Sequence, residues 1–117
     1  MSSTAYSNPW DEPLTKPIEQ LGTYLAVLPD FTEGSKRMDV RPIHLEHAKA
    51  GNKHGWIISA GATFEGEAGS KMTGSWFLIR EESLEKARER LSKDVYVLGG
   101  AWDLSKATFT AVAIAKH

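Results

Sequence analysis

The chain has 117 residues, with 14 Lys and Arg against 15 Asp and Glu, and no cysteine. That length suits one domain able to bury a core without disulfide or metal staples. The near-neutral charge argues against a nucleic-acid module driven by bulk positive charge, the missing cysteine excludes a disulfide scaffold, a Cys-based zinc site and a thiol nucleophile, and no apolar run is long enough to span a membrane.

Met1 to Gln20 lacks the basic start and apolar stretch of a secretory signal, so a soluble cytoplasmic protein is expected. Residues 1–20 read as an arm, with Pro9, Pro13 and Pro17 set among polar residues. Prolines at that spacing prevent a helix and disfavour a central strand. Trp10 is the arm residue expected to be anchored, on its own domain or on a neighbour. Residues 21–117 read as a single domain.

Gly22 to Leu28 is aromatic and aliphatic and is stopped by Pro29-Asp30, so it reads as a strand; Phe31 to Asp39 reads as a polar loop. A helix is expected from about Arg41 to His54, with Pro42 in its first turn, where the missing N–H costs nothing. Glu46, Lys49 and Lys53 form a solvated stripe. At about 100° per residue the opposite stripe is His44, Ala48 and Gly51, which turns His44 toward the sheet and leaves His47 and His54 on a flank. Trp56 to Phe64 reads as the second strand, Glu65 to Thr73 as a turn and Gly74 to Arg80 as the third strand. Ser83 to Ser92 is a capped helix carrying Leu84, Ala87 and Leu91 on one side. Asp94 to Leu98 reads as a further short turn of helix, Gly99-Gly100 as a break and Thr108 to Ala115 as the last strand. The order β-α-β-β-α-β predicts an α+β, ferredoxin-like fold, two helices beside a four-stranded antiparallel sheet.

The strands carry a second message. Leu25-Ala26-Val27-Leu28, Trp76-Phe77-Leu78-Ile79 and Ala111-Val112-Ala113-Ile114 place apolar side chains on both faces of the sheet. Two helices cover one face only. The other needs a cover, because soluble monomers rarely expose so large an apolar patch. A second copy of the sheet about a two-fold axis is the expected cover, giving a homodimer. Loops and the proline-rich arm are the alternative.

Four short motifs then fall in order: Arg41-Pro42-Ile43-His44 opening the first helix, Ser59-Ala60-Gly61 in the second strand, Gly74-Ser75 opening the third, and Asp94-Val95-Tyr96-Val97 after the second helix. Together they resemble the YCII-related family of small dimeric α/β-barrel proteins, over about Thr23 to the C-terminus. Val95 stands where that family usually has proline, and Trp102-Asp103 where a Tyr-Glu-type pair is usual. The resemblance implies a His–Asp pair, here His44 and Asp94, as the active site. It also implies cofactor-free chemistry on a small, often cyclic organic molecule; one branch of the family is a dehydrochlorinase of a chlorinated, hydroxylated ring.

A neutral imidazole at His44 can take or give a proton near neutral pH, and a carboxylate partner would hold its tautomer. Alone, His44 reads equally as a core histidine and Asp94 as a turn or cap residue. Arg41 at the helix mouth is a candidate for orienting a carboxylate or enolate, or else a surface charge. Tyr96, Ser59 and Trp102 are further candidate substrate contacts. His44 and His47 are three residues apart, but no third ligand joins them, so no metal is expected. No phosphate-binding loop is present. The expectation is a cofactor-free lyase or isomerase acting on a small cyclic or aromatic substrate, without nucleic-acid or membrane partners. The alternative is a non-catalytic small-molecule-binding protein on the same fold.

Overall fold

Strand β1 (Gly22–Pro29) is the centre of the sheet, flanked by β3 (Met72–Glu81) and β4 (Thr108–Val112), with β2 (Ile57–Phe64) outside β3. These elements come from a computed structural model that describes residues 6–115. All pairings are antiparallel and the strand order is β2-β3-β1-β4, as a ferredoxin-like α+β fold requires. Helix α1 (Arg37–His54) rests on β2 and on the short α3 (Val95–Leu98), while α2 (Leu84–Ser92) rests on β3 and β4. Single turns of 3-10 helix occur at Ile18–Gln20 and Leu104–Lys106.

Alternation sorts the strands. Ala26 and Leu28 of β1, and Ser75, Phe77 and Ile79 of β3, face the helices and are buried. Leu25, Val27, Trp76 and Leu78 face the other way and are only half-buried. Trp10 is anchored on its own domain, as expected, and does not serve the alternative in which the arm covers this second face. Its indole lies on the helix side, stacked on Phe77 at 5.8 Å between ring centroids, and is fully buried. Arg90 holds the arm there by donating to the Pro9 carbonyl and to Glu81, with its guanidinium 3.7 Å above the Trp56 ring. Trp56 in turn donates its indole N–H to the Glu12 carbonyl at 2.8 Å. Gly51 makes the room, since a Cβ there would run into Ile57 and Trp10. Residues 1–5 of the arm lie outside the described residues.

Three details differ from expectation. Helix α1 begins at Arg37 and takes in the end of the expected loop, because Val40 extends the buried stripe by a turn. Pro42 stands inside it on the exposed side, where Met38, whose carbonyl lacks its helical N–H partner, also lies. The buried stripe is Val40, Ile43, His44, His47 and Gly51, so His47 points inward and not along a flank. Its centre lies about 50° from the one drawn through His44, Ala48 and Gly51. Strand β4 stops at Val112, opposite Thr23 and one residue short of the start of β1, so Ile114 and Ala115 have no strand opposite them. The helix ends as expected, with Gly55 in the left-handed conformation (φ 97°) accepting no Cβ penalty.

Candidate active site

Asp94 is the N-cap of α3 and is completely buried. A carboxylate removed from water must find donors, and three converge on it. Its Oδ1 accepts the Tyr96 backbone N–H at 2.9 Å, the usual N-cap bond, and faces His44 Nδ1 at 3.0 Å. Its Oδ2 accepts the Trp10 indole N–H at 3.1 Å. A carboxylate oxygen is an acceptor, so the neutral imidazole carries its proton on Nδ1. Nε2 is then the basic nitrogen, and it is the one left for the cavity.

Rings hold His44 in place. Tyr96 stacks on it face to face, with centroids 3.7 Å apart and planes 6° from parallel. Phe77 and Trp102 present edges to it at 5.9 Å and 5.7 Å. The open side is a cavity of about 250 Å³ between α1, the β2–β3 hairpin and α3. His44, Arg37, Arg41, Ser75 and Tyr96 are its polar lining, and Leu45, Ala48, Ala60, Met72 and Phe77 supply apolar wall. Burial raises the Tyr96 phenol above its ordinary value, against the pull of Arg37 and Arg41, so its O–H stays a donor throughout the neutral range.

The structure thus brings His44, Asp94, Arg41 and Tyr96 to one place. Two expected contacts need correction. Ser59 pairs with Leu78 across the β2–β3 ladder and lies in a neighbouring open groove at the sheet edge, because a register shift between Ile57 and Ser59 sets it on the opposite face. Trp102 stands behind the wall, buried, donating its indole N–H to Ser75 Oγ at 3.1 Å. Ser75 keeps its own hydroxyl proton for the cavity.

Arg37, Ser75 and Trp10 are site residues that the sequence reasoning did not assign. Arg37 lies three residues before Val40, so extending the apolar stripe one turn upstream would have found it. Its Nη1 bonds Asp30 Oδ1 at 2.9 Å, and its guanidinium carbon is 5.1 Å from the Tyr96 ring centre. Asp30 is nevertheless raised above the ordinary carboxylate value, since burial outweighs the arginine. His47 is buried beside the pair, with Nδ1 lacking a partner, and burial holds it below the ordinary imidazole value despite the Asp94 charge. Among the described residues, no group of three or more metal-ligating side chains is placed to hold an ion, and no helix is long and apolar enough to cross a membrane.

No family model matches the chain. Aspercryptin biosynthesis cluster protein B of Emericella nidulans is 30% identical over 90 residues, 72% of this chain and 58% of that protein. Aspartate kinase FUB3 of Fusarium oxysporum f. sp. lycopersici is 29% identical over 103 residues, 83% of this chain and 19% of that protein. The chain therefore spans less than two thirds of the length of either relative. Among solved structures, 5-chloro-2-hydroxyhydroquinone dehydrochlorinase (TftG) from Burkholderia phenoliruptrix, in complex with 2,5-dihydroxybenzoquinone, superposes with a TM-score of 0.63 at 20% identity, covering 81% of this chain and 94% of that one. The likeness is one of fold.

Proposed function

We propose that the chain is a cofactor-free lyase or isomerase of the YCII-related type, with His44 as general base and Asp94 as the group that orients it. The observation that carries this reading is the imidazole held by a buried carboxylate at 3.0 Å, at the wall of a largely apolar cavity. A core histidine with no further role would be expected to bond backbone in a dry interior. Here the partner is a carboxylate and the ring lines a cavity, which favours catalysis over simple binding.

His44 Nε2 takes a proton from an acidic C–H or O–H of the bound molecule. The electron pair left behind forms a new double bond. In a lyase the leaving group departs with its own bonding pair, as chloride or, after protonation, as water. In an isomerase the proton returns to a different carbon. Asp94 stabilises the imidazolium formed on the way, and Arg41 and the Tyr96 O–H face the oxygen where charge develops. The dehydrochlorinase that shares the fold acts on a hydroxylated ring, and a single ring suits a cavity of about 250 Å³. A second copy of the chain, packed sheet to sheet, covers Leu25, Val27, Trp76 and Leu78; the burial of Trp10 on the other side supports this by removing that anchor from the competing cover.

The test is chloride release and product formation from 5-chloro-2-hydroxyhydroquinone and a panel of hydroxylated rings and lactones, followed by NMR. His44→Ala removes the base, and His44→Asn removes it while keeping an N–H for Asp94. Both are expected to lose about 10²–10⁴-fold in kcat. A His44→Asn variant that is folded and turns over within a few-fold of wild type would contradict the proposal.

A further inference from the structure

The polar wall of the cavity is cationic. Arg37 and Arg41 are one turn apart on α1, and His44 follows within the next turn, so the three side chains share a face. No carboxylate lines the cavity: Asp94 lies behind His44, and Asp30 is tied to Arg37. Arg41 is exposed and, among the described residues, has no acidic side chain within ion-pair reach.

Arg37 is the more telling residue. It is nine-tenths buried, and its Nε–H has neither a protein acceptor nor contact with water. An unmatched buried donor on a charged group is costly and calls for a specific explanation. With Nη1 engaged by Asp30 and Nε closed off, Nη2 is the donor of Arg37 left to meet an anion in the cavity. A surface arginine would not need this burial, and a purely structural one would be expected to spend both Nη groups on protein acceptors, whereas only Nη1 is so used.

We infer that the molecule bound in this cavity is a small organic acid, its permanent negative charge held by Arg37 and Arg41 and its apolar body lying against Ala48, Ala60 and Phe77. The inference rests on the proposed function for the location of the ligand, but it concerns recognition and not proton transfer. It separates a substrate with a carboxylate, or an equally acidic oxygen, from a neutral ring of the same shape.

The experiment is a titration of the full chain with benzoate and with benzamide, followed by amide chemical shifts and calorimetry. Benzoate is expected to bind at least about tenfold more tightly than benzamide, a difference of about 1.4 kcal/mol, with shifts centred on the start of α1 and on Tyr96. Arg41→Gln is expected to cut that preference severalfold by weakening benzoate more than benzamide, and Arg37→Lys, which keeps the charge but loses the planar donor, to cut it less. Arg37→Lys keeps a charge for Asp30, which guards against simple unfolding. His44→Asn is expected to retain the preference for benzoate. Equal binding of the two ligands, no benzoate binding, or shifts centred elsewhere would overturn the inference. Those results would leave the base role of His44 standing, and loss of that role would be read separately from turnover.

Discussion

Replacing Asp94 by asparagine keeps the volume of the side chain and removes one acceptor. The wild-type carboxylate receives three donors: His44 Nδ1–H and the Tyr96 N–H on one oxygen, the Trp10 indole N–H on the other. An amide has only one oxygen. If it faces His44 and Tyr96, its NH2 opposes the Trp10 N–H. If it faces Trp10, the NH2 opposes the Tyr96 N–H and forces His44 into the other tautomer, with its proton on the cavity nitrogen. Either arrangement leaves a buried donor unmatched and removes the charge from the remaining bonds. A loss of about 2–4 kcal/mol of stability follows. For a domain of this size that is about 8–16 °C in melting temperature. Urea denaturation and thermal melting measure the first effect, and kcat on any substrate found measures the second, expected to fall by about 10²–10⁴-fold. An Asp94→Asn variant within about 0.5 kcal/mol of wild type would refute the reasoning, because substitutions free of such features fall in that range.

Trp10→Phe keeps the ring near Phe77 and deletes only the indole donor. It should cost about 1–3 kcal/mol and, if Trp10 positions Asp94, lower kcat while leaving KM unchanged; a stability loss with kcat intact would make it purely structural. Burial holds His47 below the ordinary imidazole value, so the folded chain binds fewer protons than the unfolded one. Its stabilising contribution is therefore present above about pH 6.5 and is lost as the pH falls; His47→Leu should flatten that part of the stability curve, and an unchanged slope would exclude His47 as its source. Light scattering should report twice the chain mass of 12.9 kDa, and Leu78→Glu on the open sheet face should give a folded species of single mass. A single-mass wild type would contradict the paired-sheet proposal.

Much of the fold is legible because local signals agree with the tertiary answer. Gly22 to Leu28 and Gly74 to Arg80 have the composition of strands and clear breakers beside them, and Ser83 caps α2 by accepting the Lys86 N–H as its position suggests. Asp94 shows where local reading ends. As a cap residue it is recognisable, and it does cap α3, but its bond to His44 spans 50 residues and its bond to Trp10 spans 84. No periodicity encodes such distances. Trp10 lies among prolines that locally indicate an arm, and its burial depends on the space left by Gly51 and on Arg90 reaching Pro9. Arg37 was hidden by the polar run before it and by Pro42, which marks a first turn more often than a second. His47 reads as a flank residue in the sequence because a stripe of three residues fixes the centre of a helix face only to about half a residue step.

The arrangement of protons on His44 bears most directly on the account. Nitrogen-15 NMR of the imidazole, followed to the alkaline end of its titration, reads the tautomer. The geometry predicts a proton on Nδ1, shared with Asp94, and a bare Nε2 that responds when benzoate enters the cavity. A proton on Nε2 instead, with Nδ1 unprotonated, would deny the ring its basic nitrogen at the cavity and contradict the account.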